Sequence, residues 1–369
     1  MRIAITGASG NIGSALVRRL QADGTHDLVG LARRPPEDHD SDHDSDHDSD
    51  HDSAHGDGVT WHSVDLSTDA CHDTLVEAFR GADAVVHLAW GFQPSHDLTY
   101  LAETGIGGTR RVLRAVTEVD VPHVVHMSSV GAYAPKQDDR PVDESWPTEG
   151  VPTSRYSRHK SAAERLLDQH ETAHPDRVVT RIRPGIVGQR AAGSALLRYG
   201  VPALVPSRAL SLLPVLPMDR GLVIPMVHTD DVAEAIATVL RQGAAGPFNL
   251  AADPPVTAQV IADALGARLV HVPSQVVRAV MSAAWHARLQ QVDTGWLDMG
   301  FALPTMDTTR ARVELGWAPT KDGPTVFAEV VAGMKDAASG RTPALRPRSV
   351  IGAVSDAVRR GPVAVRRRP

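Results

Sequence analysis

The sequence predicts an α/β fold, in which a doubly wound parallel sheet is covered by helices on both faces and a smaller, mainly C-terminal domain follows. Three observations predict it. In the first half, short β-branched runs alternate with segments of helical period, the pattern of strands buried on both faces. The glycine-rich run Thr6-Gly7-Ala8-Ser9-Gly10-Asn11-Ile12-Gly13 lies between the first such strand and the first helix. After Gly188 the alternation breaks down. A chain of 369 residues can bury one large core or two modest ones.

Strands are predicted at 2–6, 27–32, 59–62, 84–89, 123–127 and 178–183, and helices at 12–22, 73–79, 98–119 and 157–170. Residues 38–53 repeat the tetrapeptide Asp-His-Asp-Ser where a helix is expected. Such repeats bury nothing apolar and cannot offset the entropy of ordering, so 38–58 reads as a disordered insertion. Asp and His are metal ligands, yet a repeat without fixed geometry does not build a metal site, and none is expected. Past Gly188 come an apolar, Pro-rich stretch at 195–225, a helix at 230–241, a strand at 247–250 and mainly helical segments to about 335. The expected division is a first domain at 1–188, a lid region at 189–338 with segments returning to the first, and a basic Pro/Arg-rich tail at 339–369. The tail reads as solvated, with contact to nucleic acid or another anionic surface as the alternative.

Hydrophobic and charged fractions of 42% and 22% are ordinary for a globular protein. A formal charge of −6 gives no reason to expect nucleic acid as the main partner. Cys71, the one cysteine, excludes an internal disulfide framework and fits a reducing compartment. The opening MRIAITGASG runs straight into a strand and turn, so no signal peptide is expected. Prolines 202, 206, 214 and 217 and Arg208 interrupt the apolar run 201–218, whereas a membrane span needs about 20 mostly apolar residues. The expectation is a soluble, cytoplasmic protein without a membrane partner.

The glycine run carries the first functional signal. Glycines let the backbone turn tightly and let a pyrophosphate approach without obstruction, while the following helix presents free N–H groups. At this place in the chain the run reads as the dinucleotide cradle of a Rossmann sheet. About 20 residues on, an acidic residue would bind the ribose 2′-hydroxyl of NAD. Here stand Leu31-Ala32-Arg33-Arg34. Guanidiniums pair bidentately with phosphate, so NADP(H) is favoured over NAD(H), with two solvated arginines as the plain alternative.

From 1 to about 335 the chain resembles the extended short-chain dehydrogenase/reductase family, also called the NAD-dependent epimerase/dehydratase family. Gly7-x-x-Gly10-x-x-Gly13 resembles its cofactor turn. Asp65-Leu66 is similar to its adenine-contacting pair, and His87-Leu88-Ala89 to the strand end bordering the cofactor ribose. Ser129, in Ser128-Ser129-Val130-Gly131-Ala132-Tyr133, falls at the family's catalytic serine, and Tyr156-x-x-x-Lys160 at its catalytic pair. The run Arg183-Pro184-Gly185-Ile186-Val187-Gly188 resembles the segment lining the nicotinamide. Val227-His228-Thr229-Asp230-Asp231-Val232-Ala233 and Leu315-Gly316-Trp317-x-Pro319 resemble later landmarks. One departure stands out: Gly105 occupies the place of an asparagine that the family associates with a helix irregularity and a water relay. The resemblance also implies contact of Lys160 with the nicotinamide ribose, and a homodimer through the fourth and fifth helices.

The residue types suit the chemistry. A carbonyl accepting hydride at carbon develops negative charge on oxygen and needs a proton donor there. Tyr156 and Lys160 share one helix face, and a nearby ammonium is expected to lower the tyrosine pKa. Ser129 can donate to the developing oxyanion. Trp90, Phe92 and Tyr133 follow strand ends and are candidates to shape a pocket, or simply to pack. His87, His126 and His228 lack metal-ligand spacing and read as core or cleft histidines. Glu144 is assigned no chemistry.

Three functions follow. The first is a reductase or dehydrogenase of a small, fairly apolar carbonyl or alcohol, favoured by the Leu-, Val- and Pro-rich lid. The second is a nucleotide-sugar epimerase or dehydratase, kept open by Arg190, Arg198, Arg208 and Arg220. The third is a dinucleotide-sensing protein without turnover, against which the intact Ser129–Tyr156–Lys160 set speaks.

Overall fold

The computed structural model describes residues 1–36, 58–91, 96–200, 214–287 and 292–347. The repeat at 38–53, Phe92, residues 201–213 of the Pro-rich lid stretch with Arg208 among them, and the tail beyond 347 lie outside the described residues.

Strand β1 (Arg2–Thr6) leads through the glycine turn into α1 (Asn11–Asp23), and β2 (Asp27–Ala32) and β3 (Val59–Ser63) extend the sheet outward. Helix α2 (His72–Phe79) carries the chain back to β4 (Ala84–His87), which pairs with the other side of β1. The helix predicted over 98–119 is divided into α3 (Leu98–Ala102), a π-helical turn at Glu103–Gly107 and α4 (Gly108–Glu118). Glycines 105, 107 and 108 explain the interruption, because they hold a regular helix only weakly. Then follow β5 (His123–Met127), α5 (Arg155–Ala173) and β6 (Val178–Pro184).

Beyond it lie β7 (Ile186–Gly188), α6 (Gly193–Gly200), β8 (Val215–Met218), β9 (Val223–His228), α7 (Thr229–Gln242) and β10 (Gly246–Leu250). Strand β10 completes a seven-stranded parallel sheet of order β10-β6-β5-β4-β1-β2-β3. The predicted doubly wound parallel sheet is therefore present. Its order reverses between β1 and β4, and the crevice at their carboxyl ends is where such sheets bind ligands.

Period-two alternation assigns the two cores. Ile3, Ile5, Val86, Val125 and Ile182 pack on one face with Leu16 and Leu20 of α1 and Ile236 and Leu240 of α7. Ala4, Val29, Val85 and Val124 face Leu75 and Phe79 of α2, Val112 and Val116 of α4, and Leu167 of α5.

The remaining chain forms β11 (Ala252–Thr257), α8 (Ala258–Leu265), β12 (Arg268–His271), α9 (Ser274–His286), α10 (Thr294–Ala302), α11 (Thr309–Leu315) and α12 (Gly323–Lys335). Strands β11, β9 and β7 make a small sheet, and β12 pairs with β8. Among the described residues no helix is long and apolar enough to cross a membrane.

Candidate active site

The glycine turn is built by close contact. Gly7 has φ +74° and donates its N–H to Leu31 O at 2.8 Å, and a Cβ there would lie 2.7 Å from the Ala89 nitrogen. A Cβ on Gly13 would fall 2.2 Å from Gly7 O, so glycine alone lets α1 seat against the turn. Gly10 differs: a Cβ there would meet only Gly7 O, at 3.0 Å, and its other side is open. Gly10 is also the N-cap of α1, and no side chain caps that end among the described residues. An uncapped helix N-terminus beside an open glycine fits a pyrophosphate. Ser9 is buried in the turn and Ile12 packs against the core below. The Asn11 side chain is taken up by Gln189, whose Nε2 donates to Asn11 Oδ1 at 2.7 Å, so Asn11 has its backbone N–H to offer an anion.

Around the crevice, Leu88 N–H donates to Thr6 O at 3.0 Å, which brings Ala89 against the turn. Asp65 Oδ1 accepts from Ser67 N–H and Oγ at 2.9 and 2.7 Å, shaping the loop after β3, and Leu66 is buried beneath it. Arg33 donates through Nη1 to the Tyr100 hydroxyl, and its Nε is buried with no partner among the described residues. Arg34 is exposed beside it. Pro184 ends β6 opposite Leu250, and Ile186, two residues on, is a large apolar side chain left 44% exposed.

Ser129, Tyr156 and Lys160 come together at the carboxyl end of β5. Ser129, two residues past β5, is in extended conformation and caps a 3-10 turn, its Oγ accepting from Gly131 N–H at 3.0 Å. Tyr156 stands in the first turn of α5 and hydrogen-bonds Ser129. Gly131 makes the room, since a Cβ there would be 2.8 Å from Tyr156 Cε1. Helix α5 is locked in register by Ser157, whose Oγ donates to Gly131 O and accepts from Val151 N–H at 2.6 Å. Lys160, one turn on, donates from Nζ to Met127 O at 2.8 Å and lies 3.5 Å from the centroid of the Trp90 ring.

The electrostatics differ from the expectation. Burial pushes the Tyr156 hydroxyl up to about 12, against the Ser129 hydrogen bond that lowers it. Burial likewise pulls the Lys160 ammonium down to about 7, with Glu164 opposing. The ammonium stands 6.0 Å from the Tyr156 ring centroid and is turned toward Met127 and Trp90, so desolvation outweighs any lowering of the tyrosine by the lysine charge.

The model of the NAD dependent epimerase/dehydratase family matches residues 3–251. The chain belongs to that family. The family is NAD dependent, and the seven-stranded sheet with its glycine turn after β1 agrees with that membership. Uncharacterized proteins of Mycobacterium tuberculosis and Mycobacterium bovis are 29% identical over 326 residues, 86% of this chain; the chain spans 28% of their length. An L-arabinose 1-dehydrogenase (NAD(P)(+)) of Haloferax volcanii is 33% identical over 128 residues, 35% of this chain and 41% of that protein. Among solved structures, the dTDP-glucose 4,6-dehydratase DesIV of Streptomyces venezuelae, with NAD bound, shares the fold at TM-score 0.63 and 22% identity, over 91% of this chain and 97% of that one.

Several residues take roles the sequence did not announce. Glu164, one turn below Lys160, is buried and accepts from the Ser128 hydroxyl and from Arg183 Nε and Nη2 at 2.9 and 3.0 Å. Tyr133, a pocket candidate by sequence, is instead fully buried, donating to Asn249 Oδ1 at 2.6 Å and accepting from Arg183 at 3.2 Å. Glu144 fastens β10 by accepting from Asn249 N–H at 2.8 Å. Trp296 of α10 stacks on Tyr156 with centroids 5.1 Å apart, and Trp90 meets the same ring edge-on at 6.4 Å. His87 sits between Thr6 and Thr109 at 2.7 and 3.2 Å, and His228 caps α7. Among the described residues no group of three or more His, Cys, Asp or Glu is placed to hold a metal. Apart from the local His228 cap, helical or strand spacing marks none of these pairings, because each joins segments distant in sequence.

Proposed function

We propose that the protein is an NADP(H)-preferring oxidoreductase acting on a small, fairly apolar carbonyl or alcohol, with Tyr156 as general acid or base. The observation that carries this reading is the surface around Tyr156. Trp296 and Trp90 flank the phenol, while Met299 and Leu303 pack beside Trp296. Beside that wall Arg155 pairs with Asp293 at 3.5 Å and Arg278 with Asp298 at 2.8 Å, and the Lys160 ammonium is engaged by Met127 O at 2.8 Å and by the Trp90 face. A sugar-nucleotide diphosphate entering such surroundings would lose water without gaining unpaired positive charge.

NADP(H), when bound, supplies or accepts the hydride. Gly10 and the N-terminus of α1 would hold its pyrophosphate, and Arg33 with Arg34 its 2′-phosphate, to which the buried Arg33 Nε is an available donor. Tyr156, protonated through the neutral range because of its burial, donates to the carbonyl oxygen as negative charge develops there. Ser129 hydrogen-bonds the same oxygen. Lys160 is poised by burial to exchange a proton near neutrality and so to restore Tyr156. The exposed Ile186 offers apolar surface to the nicotinamide.

A nucleotide-sugar epimerase or dehydratase is the second reading, and the solved relatives' named activities favour it. The expected partner is a second copy of the chain through α4 and α5, whose outer face carries a hollow of about 490 Å³ lined by Arg110, Leu113, Arg114 and Leu166. To test the reading, the purified protein is assayed for retained dinucleotide, then offered aldehydes, ketones, free sugars and sugar nucleotides with NADPH and NADP. A reductase releases its cofactor and consumes NADPH stoichiometrically, and Tyr156→Phe abolishes turnover with cofactor affinity within a few-fold. Retained cofactor with sugar-nucleotide interconversion and no net NADPH consumption would establish the second reading instead.

A further inference from the structure

Lys160 is surrounded unevenly. Among the described residues its ammonium has one hydrogen-bond acceptor, Met127 O at 2.8 Å, and its other near neighbour is the face of the Trp90 indole, 3.5 Å from Nζ to the ring centroid. The titratable groups that face it are Tyr156 and Glu164 from its own helix, His87 from β4 and His126 from β5. The Glu164 carboxylate is occupied by Arg183 and Ser128. The indole is therefore the nearest electron-rich surface that can replace the water lost by the ammonium on burial.

The indole's position depends on a residue far from it in sequence. Gly105 lies in the π-helical turn, buried, and a Cβ there would be 3.1, 3.2 and 3.3 Å from three atoms of the Trp90 ring. Contacts that short require the neighbour to move, and a longer side chain would occupy the volume of the indole itself. The far edges of the indole are fixed by His126 and Tyr156, each meeting it edge-on at 6.4 Å. A bare glycine on one side and two rings on the other leave the indole one seat, flat against the lysine.

We propose that Trp90 is the positioning residue for Lys160, holding its ammonium by a cation–π contact in a seat that the absence of a side chain at Gly105 makes available. This rests on the Tyr156–Lys160 reading for its functional meaning, though not for its geometry. In that reading Trp90 ties the proton-exchanging lysine to the wall that meets the substrate. A substrate pressing on the indole would then alter the protonation of the lysine. The π-face favours the charged form, so its loss should lower the lysine pKa further from where burial has brought it.

The chain's four lysines, Lys136, Lys160, Lys321 and Lys335, make a direct measurement feasible. With lysine labelled at ¹³Cε, each gives its own NMR titration, and Lys160→Met identifies the signal. Trp90→Leu should lower the Lys160 midpoint by about one pH unit. Trp90→Phe, which retains a weaker π-face and preserves the packing, should lower it by less. Gly105→Asn, which leaves the tryptophan present but displaces it, should act in the same direction as Trp90→Leu. An unchanged midpoint in Trp90→Leu and Gly105→Asn, both folded by circular dichroism, overturns the proposal. If Trp90→Leu does not fold, Trp90→Phe and Gly105→Asn decide it alone. The titration needs no substrate. If the midpoints shift as expected while Lys160→Met retains full turnover, the positioning role stands and the catalytic reading of Lys160 fails.

Discussion

Removing the carboxylate of Glu164 should cost this protein more stability than a surface charge of any kind. Glu164 and Arg183 are 1% and 3% exposed and form a bidentate pair at 2.9 and 3.0 Å, with the Ser128 hydroxyl on the same carboxylate. Breaking a buried pair by removing one partner strands the other charge, at a cost of about 3–5 kcal/mol. Glu164→Ala should therefore lose about 4 kcal/mol in urea denaturation at neutral pH, and its melting temperature should fall by roughly 5 °C. Replacing both partners, Glu164→Leu with Arg183→Met, should recover much of that loss, because no charge is left buried alone. Acid provides a second reading. Burial alone would raise the Glu164 carboxyl, yet hydrogen bonds and charge from Arg183, with Ser128 and Arg181, hold it below the usual range. Its contribution is therefore complete above the unfolded-state value and lost as pH falls through the depressed native one. Glu164→Gln should flatten the acid limb of the stability curve. A loss below about 1 kcal/mol for Glu164→Ala, or a double variant as unstable as the sum of the singles, refutes the assignment of a coupled buried pair.

Two further outcomes follow from the same geometry. Replacing both Arg33 and Arg34 by Ala should remove most of a preference for NADPH over NADH, since charge-assisted hydrogen bonds contribute about 1.5–3 kcal/mol; equal affinities in the unaltered protein, measured by fluorescence titration, sink this reading. His126 and His87 are buried and held neutral by desolvation, His87 at about 3, so the unfolded chain binds protons that the folded one refuses. Stability should then fall as pH drops below the ordinary histidine value of 6.5, by about 1.4 kcal/mol per pH unit for each histidine. Neither ring nitrogen of His126 has a hydrogen-bond partner among the described residues, so His126→Phe should be tolerated and should reduce that slope by one proton; an unaltered slope shows that His126 does not titrate on unfolding.

Much of the fold was legible because its signals are local. The alternation of β-branched runs with helical periods reports strands and helices that each residue's neighbours decide. The glycine run shows its purpose at once, since three glycines between a strand and a helix serve a backbone that must pass close to something. Tyr156 and Lys160 are similarly readable, four apart on one helix.

Other features emerged only where the chain folds back on itself. The helix expected over 98–119 is interrupted by a π-helical turn at Glu103–Gly107, where Gly105 packs against Trp90 beyond β4 and Gly108 against Leu66 beyond β3. Tyr133 looked like a pocket residue because it follows a strand end, yet Asn249 and Arg183 arrive from β10 and β6 to bury it. The spacing led to an expected lowering of the Tyr156 pKa, whereas burial raises it. Spacing reports that two charges share a face, but not how much water each keeps or which way an ammonium turns. Trp90 with Gly105, Glu164 with Arg183 and Trp296 on Tyr156 meet across 15, 19 and 140 residues of chain. Sequence patterning carries the period of an element and the character of its face, and so it determined the sheet, the turn and the shared helix face of Tyr156 and Lys160. Burial, hydrogen-bond partners and the shape left over the phenol depend on which faces are brought together, and those were decided only when the two halves of the sheet closed around β1 and β4.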